Sequence, residues 1–374
     1  MKRILLILLC ILVSFSSTAY KKSRFKPYEI PGLEKKPDFW KVRPSEVIDI
    51  CSNVRKGRVE IAARTPLGYP VYAVYYGDFS EGKPTTNWSA GNSSSTKKAY
   101  LGKESHPQTI MLVAGVHGSE PESVAAAMNM IQLLETGKDF RGREDAEFLD
   151  LASRYRIIIM PCVNMDGRLV CPDHFRCQPY EVFRAASQGV WKDGSLIGWL
   201  GSKEWFPLPL ERVSFPGGYP NSEGVNIQHD VTPGDMKSAE AEAVCRVAAR
   251  WRVDFCLNSH TCEGVPFVRY PSQIETPYHI ELGREISDAA NRAIFDAGLV
   301  GVYQQQKPSN ETLNLTNIIN WCSGGLGLTL ECAHSCYTSR GHRYEYTFDQ
   351  MMEPPFIVMK VIMKKGLEVS LSGR

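Results

Sequence analysis

The sequence predicts an α/β fold: a mixed, mostly parallel twisted sheet with helices on both faces. Three observations carry this. The apolar runs at Thr109 to Val116, Tyr155 to Met160, Val253 to Leu257 and Leu326 to Leu330 do not alternate with polar residues, so they read as strands buried on both sides. Stretches of helical period separate them, the pattern of strands whose crossovers cover a sheet. Three of the runs also end in His or Glu, where open α/β sheets bind their ligands.

In chain order, Lys2 and Arg3 precede an apolar stretch from Ile4 to Val13, followed by Ser16, Ser17, Thr18 and Ala19. This is the layout of a secretory signal over residues 1–19 cleaved after Ala19, and it predicts a secreted or periplasmic protein. The apolar stretch is short for a span, so no stable membrane insertion is expected after cleavage. Residues 20–44, rich in Lys and Pro, read as an N-terminal arm, and residues 45–374 as a single catalytic domain. Arg58 to Ala63 and Pro70 to Tyr76 flank a Pro-Leu-Gly turn and predict a hairpin. Ser80 to Ser105, made of Gly, Ser, Thr, Asn and Lys, reads as a long exposed loop.

Glu120 opens a helix to about Glu135, with Pro121 suited to the first turn and Val124, Met128, Ile131 and Leu134 at helical spacing. The Tyr155 to Met160 strand follows. Residues 168–223, full of Gly, Pro and aromatics, are too long for a connector and predict walls around a site. Asp235 to Trp251 and Tyr278 to Ala297 read as helices, and Val300 to Gln304 as a short strand. The chain closes on Phe348 to Lys364, read as a helix starting near Pro354-Pro355.

The 374 residues are 43% hydrophobic and 22% charged, ordinary globular composition. Loss of the signal removes two of 43 basic residues, leaving 41 against 41 acidic, a balance without the electrostatic footprint of a nucleic-acid binder. Ten of eleven cysteines remain after cleavage. Cys171 with Cys177 and Cys332 with Cys336 bracket short loops suited to disulfides in an oxidising compartment, while Cys245 and Cys256 read as buried thiols. The absence of a C-x-x-C pair argues against a cysteine-built zinc ribbon.

The chemistry is concentrated where the runs end. His117-Gly118-Ser119-Glu120 follows the first, His260 closes the third, and Glu331 the last. Two imidazoles and a carboxylate suit one Zn2+ ion with an open coordination position, and the later carboxylate suits a base acting on water. His342 and Glu345 repeat the H-x-x-E spacing without following an apolar run, so position sets the first pair apart.

Taken in order, His117-Gly-Ser-Glu120, Asn164-Met-Asp-Gly167, Gly224-Val-Asn226, His260 and Leu328-Thr-Leu-Glu331 resemble the zinc metallocarboxypeptidase family of the carboxypeptidase A type. The resemblance runs from about Ser45 to Gly366 and includes Asn320-Trp321, similar to that family's Asp-Trp. It implies a carboxypeptidase-like, phosphorylase/hydrolase-like fold, with His117, Glu120 and His260 as zinc ligands and Glu331 as general base. It also implies an oxyanion-stabilising Arg upstream of the Gly-Val segment: Arg212, 14 residues before Asn226 (226 − 212), or else Arg184. The implied substrate is a peptide or an acylated amino acid.

One motif departs. The family's Gly-Val-Asp-x-Asn-Arg stands here as Gly224-Val225-Asn226-Ile227-Gln228-His229. Asn226, Gln228 and His229 are the expected substrate-binding residues, and none offers the bidentate cation that grips a terminal carboxylate. The family's Tyr before the Asp-Trp has no clear counterpart among Tyr303, Ser309 and Thr312, and Ile319 suggests an apolar pocket. Three readings follow: a carboxypeptidase-like zinc peptidase, a related zinc amidohydrolase, deacylase or cell-wall peptide amidase needing no free C-terminus, and a non-catalytic binding module on the same scaffold.

Overall fold

The computed structural model describes residues 26–80, 84–96, 99–100, 107–232, 234–303, 313–369 and 371, so the expected signal at 1–19 lies outside the described residues. Nine strands are present among them: β1 (Arg58–Arg64), β2 (Pro70–Tyr76), β3 (Thr109–Ala114), β4 (Arg156–Met160), β5 (Val190–Trp191), β6 (Val213–Phe215), β7 (Phe255–Cys262), β8 (Phe267–Val268) and β9 (Leu326–Ala333). Seven form one mixed sheet in the order β1-β2-β4-β3-β7-β9-β8, while β5 and β6 pair separately. The β4-β3-β7-β9 centre is parallel throughout, and antiparallel pairs lie only towards the edges. The expected hairpin is the β1-β2 edge.

The helices are α1 (Pro44–Ser52), α2 (Trp88–Ser93), α3 (Pro121–Thr136), α4 (Ala146–Ala152), α5 (Met165–Val170), α6 (Tyr180–Gln188), α7 (Gly198–Glu204), α8 (Ala239–Trp251), α9 (Pro277–Asp296), α10 (Ile318–Ser323) and α11 (Phe348–Gly366). They cover both faces because the central strands are apolar on both. Ile110 and Leu112 of β3 point into a core with α1, α3, α9 and α11. Met111 and Val113 between them point into a second core with α8 and α10. Opposite faces of one strand thus serve opposite layers.

Local chemistry fixes the ends that matter. Pro121 occupies the first turn of α3, and Gly137, at φ 85°, closes it. A Thr347/Gln350 capping box starts α11 at Phe348 rather than at the prolines. Pro354 and Pro355 lie inside that helix and remain buried. Two other expectations fail. The segment around residue 90 contains helix α2 within the expected loop, and residues 300–303 form no strand. The proposed local disulfides are also unformed, since the ten described cysteines are all free. Cys171 is buried with its Sγ facing the Ala186 carbonyl, whereas Cys177 is exposed at φ 64° beside Arg343.

Candidate metal centre and its surroundings

Strand β3 delivers His117 to the sheet's carboxyl end, and Glu120 sits at the N-cap of α3. Their connection has little freedom. A Cβ on Gly118 would lie 2.0 Å from the Gly167 carbonyl carbon, so the chain passes here only without a side chain. The Gly118 amide donates to the Gly218 carbonyl at 2.7 Å, and Arg168 donates to the Gly118 carbonyl at 2.6 Å. Asn164 caps α5 by accepting from the Gly167 amide and donates to the Tyr219 carbonyl at 3.0 Å. Residues 117–120, 164–168 and 218–219 are therefore stitched together.

His117 Nδ1 faces Glu120 Oε1 at 2.8 Å, and His260 Nδ1, at the same sheet end on β7, faces Glu120 Oε2 at 2.9 Å. All three residues are buried, and their ligand atoms lie within 4.8 Å of one another. The second ring nitrogens are engaged elsewhere. His117 Nε2 donates to Asn226 Oδ1 at 3.1 Å, and His260 Nε2 donates to Gln228 Oε1 at 3.2 Å. Asn226 Oδ1 also accepts from the Gln228 amide, and Gln228 Oε1 from Asn258 Nδ2 at 2.9 Å, which identifies both as carbonyl oxygens.

With Nε2 donating to those oxygens, both Nδ1 atoms are left facing the Glu120 carboxylate. That arrangement suits either a protonated ring or a cation shared between the three side chains. Two imidazole nitrogens and a carboxylate are a donor set that zinc takes, with outer partners fixing each ring. Burial alone would raise the Glu120 carboxyl, but the adjoining imidazoles pull it down to about 2. Burial lowers His260, and the Glu120 charge more than restores it, leaving it above the ordinary histidine value.

Glu331 stands beside His260 in the parallel β7-β9 ladder, so both project from the same face. Its Oε1 accepts from Arg269 Nε at 3.0 Å, and its side chain keeps 12% exposure, enough for solvent to reach it.

A zinc carboxypeptidase family model matches residues 63–178. Over that stretch the chain is similar to that family. Its fold is similar to a metallo-carboxypeptidase from Burkholderia cenocepacia, with TM-score 0.53, 15% identity and coverage of 86% of this chain and 68% of that one. It is also similar to a metallo-carboxypeptidase from Pseudomonas aeruginosa in complex with (2-guanidinoethylmercapto)succinic acid, with TM-score 0.51, 12% identity and coverage of 87% and 68%. A comparison with curated proteins finds no match.

Several expected positions lie elsewhere than anticipated. Asn226 and Gln228, expected to face substrate, instead hold the outer nitrogens of the two histidines. His229 is half-buried, and burial, with Lys203 and the two site histidines nearby, pushes it down to about 4, so it is neutral at physiological pH. Arg212 is exposed, with its guanidinium 5.4 Å from the Trp191 ring and 4.9 Å from the Trp205 ring. Arg184, the second choice, is buried, paired with Glu263 at 2.9 Å and within electrostatic reach of Tyr219. Ile319 packs in the core with Ile318 and Leu315 instead of lining a pocket. Tyr303 lies against Arg292 and Asp288, while Ser309 and Thr312 lie outside the described residues.

Tyr219 is the residue that the sequence reading missed. Its ring stacks on His117 at 4.0 Å and 8°, and burial pushes its hydroxyl well above the usual range. The signal available was Pro216-Gly-Gly-Tyr-Pro220, a run that forces an aromatic out of a tight backbone.

Two carboxyls brace the segment that carries Tyr219. Asp166 accepts from Ser222 Oγ at 2.6 Å, and Glu240, at the start of α8, accepts from Asn221 Nδ2 at 3.2 Å. Burial raises Glu240 from 4.5 to about 7. A folded-state value above the unfolded one means that the folded chain holds this proton longer. The resulting stability is complete below about pH 4.5 and disappears as pH rises through 7. Glu240→Gln, which keeps an acceptor for Asn221 and does not titrate, is expected to match wild type at pH 5. At pH 8 it should be more stable by on the order of 2 kcal/mol, read from urea midpoints at the two pH values.

Proposed function

We propose that this protein is a zinc-dependent hydrolase that cleaves peptide or closely related amide bonds, with residues 45–374 acting as one catalytic domain. The observation that carries this reading is the convergence of two imidazole Nδ1 atoms and both Glu120 oxygens, each imidazole held from behind by a side-chain carbonyl. His117, Glu120 and His260 would hold the ion. When bound, zinc supplies a Lewis acid that polarises a substrate carbonyl and brings the pKa of water to about 7.

The chain's own residues supply the rest. Glu331, next to His260 on the same sheet face and partly open to solvent, takes the proton from the attacking water and passes it to the departing amine. Arg184 replaces Arg212 as the oxyanion donor in this reading, because it is buried on the side of Tyr219, while Arg212 is turned outward between tryptophans. Tyr219 shields one face of His117 from water and forms the wall against which substrate lies. Asn226 and Gln228 position the ligand rings.

A zinc amidase acting without a free C-terminus is the second reading. It is favoured by His229, which is neutral where the family pattern has a permanent cation. Export is proposed from the N-terminal pattern, and no helix among the described residues is long and apolar enough to cross a membrane. The test is metal analysis with cleavage mapping on a mixed library of free and amidated peptides. About one zinc per chain and chelator-sensitive amide cleavage are expected, whereas a metal-loaded protein that cleaves neither set would overturn the reading.

A further inference from the structure

Among the described residues, one cation beside the site has no carboxylate partner. Three cationic side chains surround the site: Arg184, Lys203 and Arg269. Arg184 pairs with Glu263 at 2.9 Å, and Arg269 with Glu331 at 3.0 Å. Among the described residues Lys203 has no carboxylate within ion-pair distance. Its ammonium lies 3.6 Å from the Trp199 ring centroid, seated on the indole face, while the residue as a whole is exposed.

That surface leads to the metal ligands. Trp199 meets Tyr219 edge-on at 6.1 Å, and Tyr219 stacks on His117 at 4.0 Å. Lys203 thus stands on a continuous aromatic wall whose other end is a zinc ligand. It also lies within electrostatic reach of His229, Arg269 and Glu331, which places it on the side of the base. Burial and the nearby Arg269 lower the Lys203 pKa from its ordinary value, with Glu331 opposing the shift.

We propose that Lys203 is the specificity residue of this site, its ammonium gripping a carboxylate that the substrate carries near the scissile bond. The inference rests on the hydrolase reading above and names its substrate class as acidic. It explains how a chain with Gln228 and neutral His229 in place of a guanidinium still recognises an anion. A carboxylate seated by Lys203 gives this ammonium a partner and leaves the Arg269–Glu331 pair intact. The carboxylate has two sources, a free C-terminus or an acidic side chain.

The experiment uses the zinc-loaded full chain, with Lys203→Met to keep the stem over Trp199 and Lys203→Arg to keep the charge. Calorimetric binding is measured first, for N-acetyl-phenylalanine and for its amide. Wild type should bind the acid more tightly than the amide, Lys203→Met should lose about 10- to 100-fold for the acid alone, and Lys203→Arg should recover it. Equal affinity of wild type for acid and amide, or an unchanged Lys203→Met, overturns the proposal. This readout needs no turnover, so an inactive protein would sink the hydrolase reading and leave the anion site standing or falling by itself. Kinetics on N-acyl dipeptides with a free terminus, and on amidated ones with and without a Glu side chain, then separate the sources. Lys203→Met should raise KM on whichever carboxylate is used and leave kcat unchanged, and an equal rise on the uncharged amide counts against it.

Discussion

Glu331→Gln is expected to lower turnover by about 10²- to 10⁴-fold while leaving metal content, folding and substrate affinity close to wild type. The amide is nearly isosteric with the carboxylate and keeps an oxygen where Arg269 donates to Oε1 at 3.0 Å, so the local packing survives. What it loses is the ability to accept a proton. The change falls on kcat rather than on KM because a base acts in the transition state and contributes little to binding. Parallel measurements of zinc content, melting temperature and steady-state kinetics check each part. Full activity in Glu331→Gln would remove this residue from the mechanism, and loss of zinc would make it a structural partner of the metal centre.

His260→Ala is expected to act differently, losing metal and stability together. The substitution deletes one inward-facing nitrogen and leaves Gln228 Oε1 with one donor fewer. It also leaves Glu120, 2% exposed, with a single imidazole partner. Breaking one side of a buried charge arrangement typically costs about 3–5 kcal/mol, so a clear fall in the melting temperature of even the metal-free protein is expected. Zinc content after gel filtration should drop from about one per chain to a small fraction. With metal binding gone, chelator should no longer lower the variant's melting temperature, since that shift in wild type reports linkage between ion binding and folding. A variant that keeps stoichiometric zinc would show that the ion is held elsewhere.

The two substitutions probe parts of the chain that differ in how readily they are read from sequence. Strand identity was visible because β3, β4 and β7 are buried on both faces, and their apolar character appears directly in Ile110, Met111, Leu112, Ile157, Ile158 and Ile159. The grouping of His117, Glu120 and His260 was legible for a related reason: residues that follow such runs lie at the sheet's carboxyl end. Strand order was not visible, since nothing in the local pattern says that β4 lies between β2 and β3. Helix α2 was missed because its six residues include Gly91, Asn92 and two serines, which as an isolated peptide favour turns.

Site residues outside the strands were the least legible. Arg184 and Arg212 are both arginines in a Gly- and aromatic-rich stretch, and only tertiary packing turns one inward and leaves the other against Trp205. The same holds for Asn226 and Gln228. The resemblance implied that they face substrate, but hydrogen bonds across more than 30 residues of chain, from His260 to Gln228 and from His117 to Asn226, decide what they touch. Cysteine spacing misled because a short sequence gap says nothing of direction: Cys332 faces Ser259 inside the sheet, and Cys336 packs with Phe175 and Phe183.

The β7-β9 ladder has a mechanical consequence. His260 and Glu331 come from positions 71 residues apart, yet they are neighbours across eight paired residues of parallel backbone. The spacing between His260 and Glu331 is therefore set by the peptide hydrogen bonds of this parallel ladder. In the proposed mechanism, the separation on which proton transfer depends is thereby tied to the sheet and not to the loops around it.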